Sequence, residues 1–207
     1  YKYPYPDQLL IYAQRPDATA CAGYDIWNNQ MHRYIRRGSK GIALLDRSGS
    51  EQKLRYVFDV ADTAPGSGAR SPYLWEFRPE HVDAVERALE HQYYVRGNGD
   101  LSGQLEEISY RLATSFWEEH QRDFFRIVDG SALSEYDRDS IGSMFRSAAT
   151  NSTFYALLSR CGLNPDEVYD NSPFLNIYDF DTPETLSMLG TAVSENTEQI
   201  LRQIEVT

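Results

Sequence analysis

The sequence predicts an α+β fold: a small N-terminal unit with a β-hairpin or small antiparallel sheet and short helices, followed by a mainly helical body. Three observations predict it. Residues 42–46 (IALLD) and 54–62 (LRYVFDVAD) are β-branched and aromatic runs joined by the turn-forming stretch DRSGSEQK, which reads as an antiparallel hairpin. Residues 63–72 (TAPGSGARSP) are the most flexible stretch of the chain. Beyond them, apolar residues recur at helical spacing almost to the end.

Taken in order, Asp7 is placed to cap a helix over Gln8–Gln14, which Pro16 and Asp17 end. Tyr24–Arg33 carries Ile26, Trp27 and Met31 and predicts a second short helix. Gly38 and Gly41 bracket a tight turn that leads into the first strand of the hairpin. Pro79 opens a helix with Val82, Val85 and Leu89 on one face. Leu101, Leu105, Ile108, Leu112, Phe116 and Phe124 mark a longer one. Ile141, Met144, Phe145, Ala148 and Tyr155 mark a third, which Gly162 terminates. Thr182 and Pro183 form an N-cap and first-turn pair for the last helix, with Leu186, Leu189, Val193, Ile200 and Ile204 facing one side. The expected division is a basic α/β unit at 1–63, a linker or loop at 64–72, and an acidic helical body at 73–207 packing on it. One continuous domain is the alternative.

The chain has 207 residues, 41% of them hydrophobic, enough to bury a core. No apolar run of about 18 residues occurs, so no membrane-spanning helix is expected. The opening YKYPYPDQ lacks the pattern of a secretory signal, and the chain reads as an excised piece of a larger protein. Cys21 and Cys161 are far apart in apolar surroundings and read as two free thiols, with a disulfide the reading for an oxidising compartment. With no CxxC pair and four scattered histidines, neither a metal site nor a cofactor is expected.

The formal charge of −11 argues against a nucleic-acid partner, but its distribution does not. Residues 1–56 hold nine Lys/Arg against five Asp/Glu, whereas residues 57–207 hold eleven against twenty-six. A basic N-terminal quarter on an acidic body marks either a local site for an anionic ligand or a simple drift of composition. The segment GYDIWNNQMHRYIRRGSKGIALL (23–45) concentrates the signal. Arg33, Arg36, Arg37 and Lys40 fall within eight residues, with Tyr24, Trp27 and Tyr34 interleaved. Guanidinium groups grip phosphate oxygens with two donors at once. Exposed bases stack on aromatic faces. Gly38 and Gly41 would let backbone amides approach an anion closely. The expected nucleic-acid-binding set is therefore Arg33, Tyr34, Arg36, Arg37, Gly38, Lys40, Gly41 and Trp27. The competing readings stay open: Trp27 as a core anchor, Tyr34 or Ile35 pointing inward, and four cations on a merely solvated turn. GSKG lacks the GxxxxGK[ST] spacing of a phosphate loop.

IRRGSKGIALL resembles the VRKGEKG-type motif in the N-terminal domain of ArdC-like antirestriction proteins, and RYVFDVADT (55–63) resembles that family's VFNV-type strand. The resemblance covers residues 5–63 and implies single-stranded DNA binding. The opening DQLLIYAQRPDATACAGYDIW, with LSRCGLNP and LGTAVSENTEQILRQI, is similar to very large proteins of bacterial conjugative elements. There such a region accompanies helicase and N6-adenine DNA methyltransferase segments. The resemblance thus implies a bacterial cytoplasmic setting, with single-stranded DNA and other domains of the parent protein as partners and no membrane. Ser39 stands where the family has an acid. The family's HExxH zinc-protease helix, an ATP loop and an NPPY-type motif have no counterpart, so peptidase, helicase and methyltransferase activities do not carry over.

No catalytic constellation is expected. Glu118, Glu119 and His120 are adjacent on a predicted helix and diverge. His81 and His91 sit on a charged helix. Asp179 and Asp181 either cap the last helix or hold a cation. The expectation is a non-catalytic single-stranded DNA-binding accessory domain. The alternative is a protein-interaction or spacer module, with antirestriction by acidic DNA mimicry as one version of it.

Overall fold

A computed structural model describes residues 2–46, 53–72, 76–169 and 172–207. It is α+β, with small antiparallel sheets near the N-terminus followed by a mainly helical body. The chain divides into two compact units, residues 5–75 and residues 1–4 with 76–207. The division falls at 75/76 rather than across 64–72, and the first residues join the helical unit, where Lys2 Nζ meets Glu205 Oε1 at 3.1 Å.

In the first unit, helix α1 (Tyr5–Gln14) is followed by strands β1 (Cys21–Gly23), β2 (Arg33–Ile35), β3 (Ile42–Asp46), β4 (Lys53–Asp59) and β5 (Thr63–Pro65). The expected hairpin is present: β3 and β4 pair antiparallel with Ile42 opposite Val57 and Leu44 opposite Arg55. β1 joins the other edge of β4, giving the order β1-β4-β3, while β2 and β5 form a separate two-stranded ribbon. The inward positions of a pleated strand alternate, and Ile42, Leu44 and Val57 are the buried apolar residues. The hairpin loop at 47–52 lies outside the described residues. β3 is an edge strand of its sheet, and α1 covers it in an unusual way. The Gln14 carboxamide accepts from Ala43 N–H and donates to Ala43 C=O, both at 2.9 Å, completing the edge as a neighbouring strand would.

Three local expectations change. Asp7 lies inside α1 rather than capping it, buried, with its carboxylate on Arg55 at 2.6 Å. The expected helix over Tyr24–Arg33 starts where expected, α-helical at Tyr24 and Asp25 and π-helical at Ile26–Gln30, but stops short of Arg33, because His32 takes a left-handed φ of 49° and redirects the chain into β2. Ala64 and Pro65, expected as linker, belong to β5: Arg33, Tyr34 and Ile35 pair with Pro65, Ala64 and Thr63.

The helical unit contains α2 (Val82–Tyr93), α3 (Leu101–Phe124), α4 (Arg138–Arg160) and α5 (Pro183–Glu205), each where the periodicity places it. The caps are those that side-chain chemistry favours. Asp100 accepts from Gly103 N–H, Asp137 accepts from Asp139 and Ser140 N–H, and Thr182 forms a reciprocal capping box with Thr185. Gly162, at φ 70°, follows the end of α4 as expected. One cluster joins the end of α3, the first half of α4 and the first half of α5 through Trp117, Phe124, Phe145, Phe180 and Leu189. Phe145 sits 5.2 Å from both Trp117 and Phe124, centroid to centroid. On α5 the buried stripe runs through Thr185, Leu189, Ala192, Ile200 and Ile204, whereas Leu186 is exposed. Among the described residues no helix is long and apolar enough to cross a membrane.

Candidate nucleic-acid interface

The basic segment folds as a strand followed by a turn. Arg33, Tyr34 and Ile35 form β2, where alternation sends Arg33 and Ile35 to one face and Tyr34 to the other. Tyr34 is 53% exposed, while its two neighbours are half-buried. Arg33 is partly withdrawn: its Nε donates to Thr63 Oγ1 at 2.7 Å. Arg36 N–H remains tied to the β5 side through the Asp62 carbonyl at 2.8 Å, which keeps Arg36 in the register of Tyr34. Residues 36–39 then close a β-turn, Ser39 N–H donating to Arg36 C=O at 3.1 Å with Gly38 at φ 90°. Arg37 occupies the tip. Arg36, Arg37 and Lys40 are exposed, and among the described residues none of these three, nor Arg33, makes an ion pair. Three carboxylates of the unit are engaged elsewhere. Asp62 holds Arg15 at 2.5 Å and Asp7 holds Arg55. Asp59, 1% exposed, accepts from the backbone N–H groups of Thr19, Ala20 and Ala61.

Two members of the expected set change role. Trp27 is 3% exposed, and its indole N–H donates to Phe58 C=O at 2.8 Å, so its faces offer no platform for a base. It is the core anchor of this unit. Gly41 serves packing: a Cβ there would lie 3.1 Å from Tyr56 Cβ and 3.2 Å from Phe58 Cζ. Gly38 is a left-handed turn residue with open space around it. The structure adds one cation that sequence reasoning missed. Arg70, counted as part of a linker, is exposed, and its N–H bonds Met31 C=O at 2.9 Å, so the segment after β5 folds back beside the start of β2. The pairing of Arg33–Ile35 with Thr63–Pro65, a match between short runs, was the only available signal for it.

The candidates elsewhere have structural work. His120 stacks on Phe116 at 4.1 Å and its Nδ1 meets the Phe116 carbonyl at 2.9 Å. Asp181 accepts from Ala132 N–H at 3.0 Å, and Thr182 itself caps α5. Neither cysteine is in a disulfide; burial pushes the Cys161 thiol up to about 12, and burial together with the Asp59 charge pushes Cys21 up to about 11. Among the described residues no group of three metal-ligating side chains converges. No family model, no curated protein and no solved structure matches this chain.

Proposed function

We propose that residues 5–75 bind single-stranded DNA, as a non-catalytic accessory unit of a larger DNA-processing protein of the kind found on bacterial mobile elements. The observation that carries the reading is the exposed strand-turn of β2 and residues 36–40, with Tyr34 and Arg36 in one register and Arg37 at the tip. Arg36, Arg37 and Lys40 lack carboxylate partners among the described residues. Guanidinium groups without a protein counter-charge favour phosphate, and an exposed tyrosine beside them favours an unpaired base. The resemblance of IRRGSKGIALL to ArdC-like proteins supports the same reading.

The test is fluorescence anisotropy with a labelled oligothymidine at several salt concentrations. With about four phosphates neutralised, the slope of log affinity against log salt is near −3. Arg36→Ala/Arg37→Ala is expected to weaken binding at least about tenfold and to flatten that slope by roughly one to two. A salt-independent affinity, or an unaltered double variant, overturns the proposal. The second reading, a protein-docking module, is favoured by the exposed tyrosines of the acidic helical unit, Tyr94, Tyr110 and Tyr178 among them. Retention of a protein partner with no DNA binding by the whole chain would select it.

A further inference from the structure

Residues 76–207 carry twenty-four Asp and Glu against ten Arg, yet one groove among them is basic. Trp117, Gln121 and Arg122 from the end of α3 and Phe125 and Arg126 just after it line, with Arg138, Asp139, Gly142 and Arg146 from the start of α4, a groove of about 880 Å³. The spacing explains the convergence. Arg122 and Arg126 lie one turn apart, and Arg138, Gly142 and Arg146 occupy successive turns of one α4 face. Gly142 lets the helices approach, since a Cβ there would meet Trp117 Nε1 at 3.0 Å.

Four guanidiniums line this groove against one carboxylate, Asp139. Arg126 is bonded to Asp123 at 2.6 Å. Among the described residues Arg122, Arg138 and Arg146 have no carboxylate partner, although acids outnumber bases in the chain. Helix electrostatics account for Arg122, near the C-terminus of α3, but not for Arg138, whose charge opposes the dipole at the start of α4. Arg138 lies 4.8 Å over the Phe125 ring, and Arg146 is half-buried. Holding a half-buried guanidinium without a counter-charge is unfavourable unless an anion completes the site. The Trp117 indole N–H, at the floor beside Gly142, also lacks an acceptor among the described residues. Because Trp117 is 5% exposed and Arg138 covers Phe125, the groove offers donors and charge rather than a stacking face.

We infer that this groove is a binding site for a compact polyphosphate anion, held by Arg122, Arg138 and Arg146 with the Trp117 N–H as an added donor. Its volume of about 880 Å³ and its donors on two helices fit a ligand with two or three linked phosphates rather than one. The inference is independent of the DNA reading. Isothermal titration of the full chain with sodium tripolyphosphate at low salt is expected to give saturable one-to-one binding. Arg122→Gln/Arg146→Gln is expected to weaken it at least about tenfold, the loss of two charge-assisted contacts. Should the first double variant lose its circular dichroism, Arg122→Lys/Arg146→Lys keeps the charges, and the loss of the bidentate forks alone still weakens binding. ATP binding as tightly as tripolyphosphate assigns the site to a nucleotide's phosphate tail; tighter tripolyphosphate binding assigns it to the free anion. No saturable binding, equal affinity in wild type and the folded groove variants, or citrate binding as tightly as tripolyphosphate overturns the inference.

Discussion

Asp59 shows how a single residue organises the first unit. Burial pushes its carboxyl towards higher pKa, but the N–H groups of Ala61, Ala20 and Thr19, with Arg15 nearby, outweigh this and hold it below the usual carboxylate range. One side chain thereby fixes the segment before β1 to the end of β4. Its folded-state value lies below the unfolded one, so its contribution is complete above about pH 4 and is lost as the pH falls through the folded value. Asp59→Asn keeps the size and removes the charge, and it is expected to cost about 1–3 kcal/mol near neutral pH in urea unfolding. The gap between wild type and variant should narrow on acidification below about pH 4. A gap of constant size would show that the charge is not what stabilises this turn. Asp59 was legible in the sequence only as a position within the strand expected over 54–62; its three backbone donors come from residues 19, 20 and 61, brought together by the β1–β4 pairing.

At the scale of elements, the close crossing of α3 and α4 depends on Gly142. Alanine would raise the intrinsic helix propensity of that position by about 1 kcal/mol. Against this, its Cβ would lie 3.0–3.1 Å from three atoms of the Trp117 indole. That ring cannot give way easily, because Phe124, Phe125 and Phe145 surround it at 5.5, 5.6 and 5.2 Å. Overpacking therefore wins, and Gly142→Ala is expected to lower stability by about 1–2 kcal/mol in thermal or urea unfolding. A stabilised variant would mean that the helices separate at little cost. Helix kinds and ends were readable because caps and periodicity are local: Asp100, Asp137 and Thr182 act on N–H groups within three residues. The short helix expected over Tyr24–Arg33 ends early, at Gln30, because apolar spacing alone does not register the left-handed backbone at His32.

For the whole molecule, each unit contains one thiol, Cys21 in the first and Cys161 in the second. Burial raises both, to about 11 and about 12, so little thiolate exists at mildly alkaline pH. Reaction with a thiol-specific disulfide reagent is expected to be slow for both in the native protein, slower for Cys161, and complete after unfolding in urea. Following each cysteine with the other replaced by serine reports the opening of its own unit. Rapid native reaction at Cys161 would contradict its burial. Charge shows the same need for a molecular scale. The average over residues 57–207 is strongly acidic, yet Arg122, Arg138 and Arg146 converge on one groove. Composition cannot reveal this, since it discards which side of a helix each charge occupies.

The sequence by itself determined the hairpin, the first helix and the four helices of the second unit, because periodicity, capping and turn chemistry act within a few residues. Only the tertiary structure decided which residues are accessible. It buried Trp27 against Phe58, placed Gly41 against Tyr56, paired the supposed linker with β2, and left Arg36, Arg37 and Lys40 exposed. The physical reason is that burial and ion pairing depend on contacts between residues distant in the chain, and local pattern carries no record of them.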